Sequence, residues 1–226
     1  MFVSPFIDRD AHIRYGGVCM ISITVEGAVF LGWFAVIGGV LNVVGDWALL
    51  GFPVAGKEIT LELMREKRAG RVRFGAYVGM VAIPMWLGVL FPIAHLLRNA
   101  PVVYTIIAAI GLVLFIMSAQ TYHVSYVFYD IAYRDGNDGM IAASLAEKKR
   151  LQMFSGPPVI VASIALVIGG AIAGAPIWWM VLNPLVTLTV PPVVGRALPA
   201  PLGGYILTAG GSLGFAVFGL ATLLIV

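Results

Sequence analysis

The sequence predicts an all-α polytopic membrane protein, a bundle of about six transmembrane helices, and three observations predict it. Apolar residues fill 60% of the 226 positions, charged residues fill only 11%, and the mean hydropathy is +0.98. A soluble domain carries charge on about a quarter of its residues, so this chain has too little polar surface for water to be its solvent. Apolar runs near the roughly 20 residues needed to cross about 30 Å of hydrocarbon recur along the chain. The basic residues sit in the breaks between those runs, as at membrane flanks.

Residues 1–26 form an N-terminal interfacial segment, and residues 27–226 a six-helix transmembrane domain. Asp8, Arg9, Asp10 and Arg14 give a mixed-charge start without a small-residue cleavage site, which argues against a cleaved signal peptide. The apolar run over 16–50 is too long for one span and Glu26 divides it, leaving 16–25 as an interfacial or strand-like lead-in. The spans are expected at about 27–50, 74–97, 101–133, 157–174, 176–194 and 203–226. Pro157-Pro158, Pro176, Pro191-Pro192, Pro199 and Pro201 are read as helix boundaries, because proline lacks the helical N–H donor.

Orientation follows from charge. Loop 51–73 carries Lys57, Arg65, Lys67, Arg68, Arg71 and Arg73, and loop 134–150 carries Arg134, Lys148, Lys149 and Arg150. With Arg196, this side holds all but three of the Lys and Arg residues, and the positive-inside rule makes it cytoplasmic. Both termini are then non-cytoplasmic, in what reads as a bacterial inner membrane. Segments 58–69 and 140–154 interleave apolar and charged residues and are expected to be partly helical on the inner membrane surface. Many of the 27 glycines lie inside spans, where small residues let helices approach closely.

Composition also excludes several classes. Cys19 is the one cysteine, so there is no internal disulfide and no thiolate metal cluster. His12, His95 and His123 are widely spaced without a ligand pattern, so neither a metal nor another cofactor is expected. The positive charge is flank charge, and nucleic acid is not an expected partner.

Polar side chains inside spans are costly and mark the candidate chemistry. Asn42 and Asp46, four residues apart, share a helix face on the first span, with Trp47 beside them. On the third span Gln120, His123 and Asp130 form one polar stripe, and Tyr122, Tyr126, Tyr129 and Tyr133 an adjacent one. Topology puts Asp46 and His123 at similar depth. Such a pair in a low-dielectric pocket is a workable acid–base couple. Asp46 is the candidate acid and His123 its partner. Asn42, Trp47, Gln120, Tyr122, Tyr126, Asp130 and Asn183 are candidate ligand contacts, and the expected partner is a lipid or another hydrophobic small molecule. The same polar groups are equally suited to fixing helix packing, and Asn183, ahead of Pro184, suits a helix-kink device. Glu26 and His95 read as interfacial. A hydrophobic-ligand carrier and a solidly packed membrane scaffold are the alternatives to an enzyme, and a cavity lined by Asp46 and His123 separates them from each other by its presence.

The run Asn42-Val-Val-Gly-Asp46-Trp47-Ala-Leu-Leu-Gly51-Phe-Pro53, with Thr121-Tyr122-His123 and Asn183-Pro184, resembles a bacterial multi-pass membrane family of unknown function over about residues 35–226. That resemblance implies the topology and no activity. The chain is also similar in length and span number to the small integral-membrane terpene cyclases, which place acidic residues in the bundle. This likeness implies that Asp46 or Asp130 protonates an epoxide or alkene while aromatic residues shield the carbocation. Gly45-Asp46-Trp47 stands where those cyclases carry Trp-Glu.

Overall fold

Prolines and capping residues decide where the helices break. The computed structural model describes residues 14–15, 18–19, 24–50, 69–199 and 201–226. A two-residue antiparallel pair, β1 (Arg14–Tyr15) and β2 (Val18–Cys19), comes first, and the elements after it among the described residues are helical. Helix α1 (Val25–Leu50) opens with the Thr24 hydroxyl accepting from Gly27 N at 3.1 Å and with Glu26 in the first turn, where an acidic side chain complements the helix dipole. Helix α2 (Ala69–Met85) continues through a 3-10 turn at Trp86–Val89 into α3 (Leu90–Leu96), and together they make one crossing over Gly70–Asn99. Helices α4 (Val102–Arg134) and α5 (Asp138–Ala173) form a long hairpin, and α8 (Leu202–Leu223) closes the bundle. Among the described residues five segments are long and apolar enough to cross a membrane.

The remaining crossing, expected as one span over 176–194, is instead two short helices, α6 (Ile177–Val181) and α7 (Pro184–Ala197). Pro184 supplies no N–H to the carbonyl of Met180, and the chain breaks there. The Asn183 amide repairs both sides of the break. Its Nδ2 donates to Met180 O at 2.8 Å, and its Oδ1 accepts from Leu185 N at 3.0 Å. The pair α6–α7 still runs the length of α8, from Trp179 Nε1 donating to Thr222 Oγ1 at 3.0 Å down to Gly195 lying against Gly203 and Leu207. It is a broken helix pair lying along α8, and neither piece alone is long enough to count as a span.

Two other boundaries also differ from expectation. Helix α5 starts at Asp138, with Asn137 Oδ1 capping Met140 N at 3.1 Å, and passes through Pro157-Pro158 without ending. The segment 140–154 is therefore the first half of α5 and not a separate surface helix. The carbonyls that the two prolines leave without helical donors belong to Met153 and Phe154, both exposed, and the long interface with α4 carries the helix past them. Pro191-Pro192 likewise lies inside α7. His95, near the end of the second apolar segment, is buried in the protein and hydrogen-bonded to Arg98. The expected helix over 58–69 falls almost entirely outside the described residues.

The crossings pack in a ring in the order α5, α4, α2–α3, α1, α8, α6–α7. Large apolar side chains such as Phe30, Val40, Ile110 and Ile164 point outward, as a lipid-facing belt requires. The interior is packed around Trp179, Phe218, Leu112, Leu166 and Ile93. Arg71, Arg134, Lys148 and Arg196 mark the opposite, basic end.

Candidate functional site

The ring of helices borders an open cavity of about 1060 Å³ toward its basic end. Every crossing contributes a wall: Asp46 from α1, Trp86 from the second crossing, His123 from α4, Lys148 from α5, Arg196 from α7 and Ser212 from α8. The stretch of α4 from Phe115 to Tyr126 lines it, which at 1.5 Å rise per residue makes it roughly 16 Å deep.

At its middle lies a buried hydrogen-bonded chain. Asn42 Nδ2 donates to Ser212 Oγ at 2.7 Å, Ser212 Oγ donates to Asp46 Oδ2 at 2.5 Å, and His123 Nε2 meets Asp46 Oδ1 at 2.8 Å. The spacing of four places Asn42 and Asp46 on one face of α1. The His123 ring fits because residue 79 is glycine, where any Cβ would overlap the imidazole. Among the described residues His123 Nδ1 has no hydrogen-bond partner and is buried. A proton on Nδ1 would be stranded without an acceptor, which costs about 1–3 kcal/mol. The network therefore assigns the proton to Nε2, donating to Asp46. Asp46 is thus hydrogen-bonded through both of its oxygens.

Toward the basic end, the Tyr122 and Tyr126 hydroxyls are 2.8 Å apart and their rings meet edge to face at 5.3 Å. Gln152 Nε2 donates to Tyr122 Oη at 3.3 Å. The Lys148 ammonium lies 5.0 Å from the Tyr126 ring centroid and 5.6 Å from that of Tyr122, within cation–π range. Away from the basic end the walls turn apolar, with Ile83, Phe115 and Leu188 beside Trp86. The Trp86 ring stacks on Phe215 at 4.4 Å, and its buried Nε1 has no partner among the described residues.

Of the candidates read from the sequence, the structure brings Asn42, Asp46, Tyr122, His123 and Tyr126 to one cavity. The other four are engaged outside its lining. Gln120 Nε2 donates to Met80 O at 3.2 Å, the carbonyl that Pro84 leaves without its helical donor. Asp130 Oδ1 pairs with Arg134 Nε at 2.8 Å within α4. Trp47 Nε1 donates to Tyr205 O at 3.1 Å and ties α1 to α8, and Asn183 caps α7. Four cavity residues are not among the sequence candidates. Ser212 sits in a glycine-rich apolar run and Gln152 ahead of Pro157-Pro158, read as a helix start, while Lys148 and Arg196 register only as flank charge.

No match was found among curated proteins or among solved structures. Residues 28–226 match the model of a family of unknown function, DUF6796, and with so much of its length matched the chain belongs to that family.

Proposed function

We propose that the protein is a membrane-embedded enzyme of isomerase or cyclase type, using acid–base chemistry on a lipid-like or terpenoid substrate. The observation that carries this reading is the Asp46–His123 pair on the wall of a cavity large enough for such a molecule. Ligand sites of about 300–1,000 Å³ with apolar walls and a few convergent polar groups are the usual form of small-molecule pockets. A packing scaffold has no use for a hollow of this size at its polar level.

In this scheme the Asp46 carboxylate accepts a proton from one carbon of the substrate, and the resulting acid returns it to another. The electron pair of the broken C–H bond becomes the shifted double bond, and no oxidant is needed. In a cyclisation the order reverses: protonated Asp46 donates to an alkene or epoxide and later recovers a proton from the cation. His123 and Ser212 hold the carboxylate in place, Tyr122, Tyr126 and Asn42 orient the ligand, and the aromatic walls shield positive charge. We further propose that the basic end faces the cytoplasm of a bacterial inner membrane, with both termini opposite. Cysteine labelling of loop 134–138 from outside intact cells would overturn that orientation.

The test of function is turnover. Purified protein is incubated with extracted lipids and isoprenoids and the products are resolved by mass. Asp46→Asn keeps the shape of the site and removes the proton acceptor, so turnover is expected to fall at least about 100-fold, the usual scale of general acid–base catalysis, while ligand binding persists. Full activity in that variant would end the acid–base reading. Binding without any turnover in the unaltered protein would mark it as a carrier.

A further inference from the structure

The polarity of the cavity is graded along its axis, and the gradient says what kind of molecule fills it. At the basic end the wall carries Lys148 and Arg196. Among the described residues neither forms an ion pair with a carboxylate: the pairs there are Asp130 with Arg134 and Glu147 with Arg150. Lys148 is half-buried against the Tyr122 and Tyr126 rings, which position its ammonium without neutralising it. Arg196 is exposed, whereas the partly withdrawn Lys148 ammonium carries a desolvation cost that an anionic ligand group offsets. Among the described residues Asp46 is the carboxylate lining the same cavity, and its oxygens are already engaged by Ser212 and His123. Beyond the Asp46 level the wall becomes Ile83, Trp86, Phe115 and Leu188.

We infer that the ligand is a bilayer amphiphile with a phosphate-type head, its head held at Lys148 and Arg196 and its apolar chain running past Asp46 toward Trp86 and Phe115. This inference rests on the cavity being a ligand site and narrows the substrate class proposed above. Two cations suit a phosphate monoester, which carries about −1.5 to −2 charges at neutral pH, better than a single carboxylate. The ring of helices also supplies an entry from the bilayer. Helices α4 and α5 pack together along their length, as do α7 and α8, whereas α5 and α7 meet sparsely, with Leu185 N donating to Ser163 Oγ at 3.0 Å. Lys148 lies on α5 and Arg196 on α7, the two helices that border that seam.

Quenching of tryptophan fluorescence, with Trp86 on the cavity wall, reads binding to the full chain in neutral maltoside micelles. The probes are dodecyl phosphate, dodecanol, dodecanoate and inorganic phosphate. Dodecyl phosphate is expected to bind at least about tenfold more tightly than each of the others. A protein with Lys148→Gln and Arg196→Gln is expected to lose that preference while binding dodecanol unchanged, and Lys148→Arg is expected to retain it. Equal binding of dodecanol, or a preference undiminished in the double variant, would overturn the head-group assignment. Equal binding of dodecanoate would overturn the choice of phosphate, and equal binding of inorganic phosphate would overturn the amphiphile in favour of a soluble phosphate. The thermal midpoint of the double variant checks that it is folded. If it is not, Lys148→Gln alone decides, with the same expected loss and the same overturning result. Asp46→Asn separates the two readings. Phosphate preference with no Asp46-dependent turnover would sink the enzyme alone, and Asp46-dependent turnover without phosphate preference would sink this inference alone.

Discussion

One end of the bundle is solid and the other is hollow, although the same ring of helices builds both. Around Trp179, Phe218, Leu112 and Leu166 the side chains interlock, with Trp179 and Phe218 rings 6.4 Å apart and the Trp179 N–H taken by Thr222. Toward Arg196 the same helices part around about 1060 Å³. In lipid no hydrophobic force draws helices together, so close packing must come from shape and hydrogen bonds. The solid end has both. The hollow end is held open by the polar chain of Asn42, Ser212, Asp46 and His123 and by the Tyr122–Tyr126 shelf, which space the helices without filling between them. A region ordered by hydrogen bonds yet left unfilled is suited to a ligand, and a region ordered by packing is suited to support it.

The largest expected effect lies in the solid end. Phe218→Ala removes a fully buried ring and is expected to cost about 3–5 kcal/mol of stability, because its neighbours cannot collapse onto the void. Reversible unfolding of the protein in micelles measures it. A loss below about 1 kcal/mol would mean that this end is as loosely filled as the other, and the contrast would fail.

The pair at the centre of the hollow end comes next. Asp46→Leu or His123→Leu alone strands its partner in a buried site, at a cost of about 1–3 kcal/mol each. If the contact at 2.8 Å is what couples them, the double variant should recover much of that stability, and a double-mutant cycle measures the coupling. A catalytic pair regains stability and no activity. A purely structural pair regains both, and simple additivity would remove the contact altogether.

Gly79→Ala tests the same pair from outside it. The added methyl overlaps the His123 ring, so the imidazole must turn away or α2 must shift, at about 1–3 kcal/mol for overpacking. The sharper readout is functional: turnover should fall with the loss of the Asp46 contact while the solid end keeps its order. Unchanged turnover would show that His123 is not needed where it stands.

These residues also show how far sequence alone reaches. Asp46 and His123 were legible because ionisable side chains inside apolar spans are costly enough to require partners, and the parity of the crossings fixes their depth. Asn183 was legible as a helix-break device because Pro184 announces the carbonyl it must serve. Gln120, expected as a ligand contact, lies outside the cavity lining for the converse reason. Its acceptor, Met80 O, is freed by Pro84 on a different helix, and nothing local in the sequence links the two. Gln152 was lost when Pro157-Pro158 was read as a boundary, since tertiary packing against α4 overrides the local signal. Ser212 had no signal at all, being one small polar residue among glycines.

The smallest expected effect gives the finest comparison, between adjacent glycines on α8. Gly210 is packed on Pro192, so a Cβ there meets backbone and ring atoms that cannot yield cheaply. At Gly211, one residue on and turned toward the cavity, a Cβ meets nothing within 4 Å. Both positions are helical, where alanine is favoured over glycine by about 0.5–1 kcal/mol when nothing obstructs it. Gly211→Ala should therefore raise stability by up to about that amount, whereas Gly210→Ala should lower it, giving opposite shifts of the unfolding midpoint from the same chemical change. Gly211→Leu extends the test, because a larger side chain there enters the hollow space. It should leave stability near that of the unaltered protein and abolish dodecyl phosphate binding. Binding that survives Gly211→Leu would place the ligand elsewhere, and a large stability loss would mean that this wall of the bundle is not hollow.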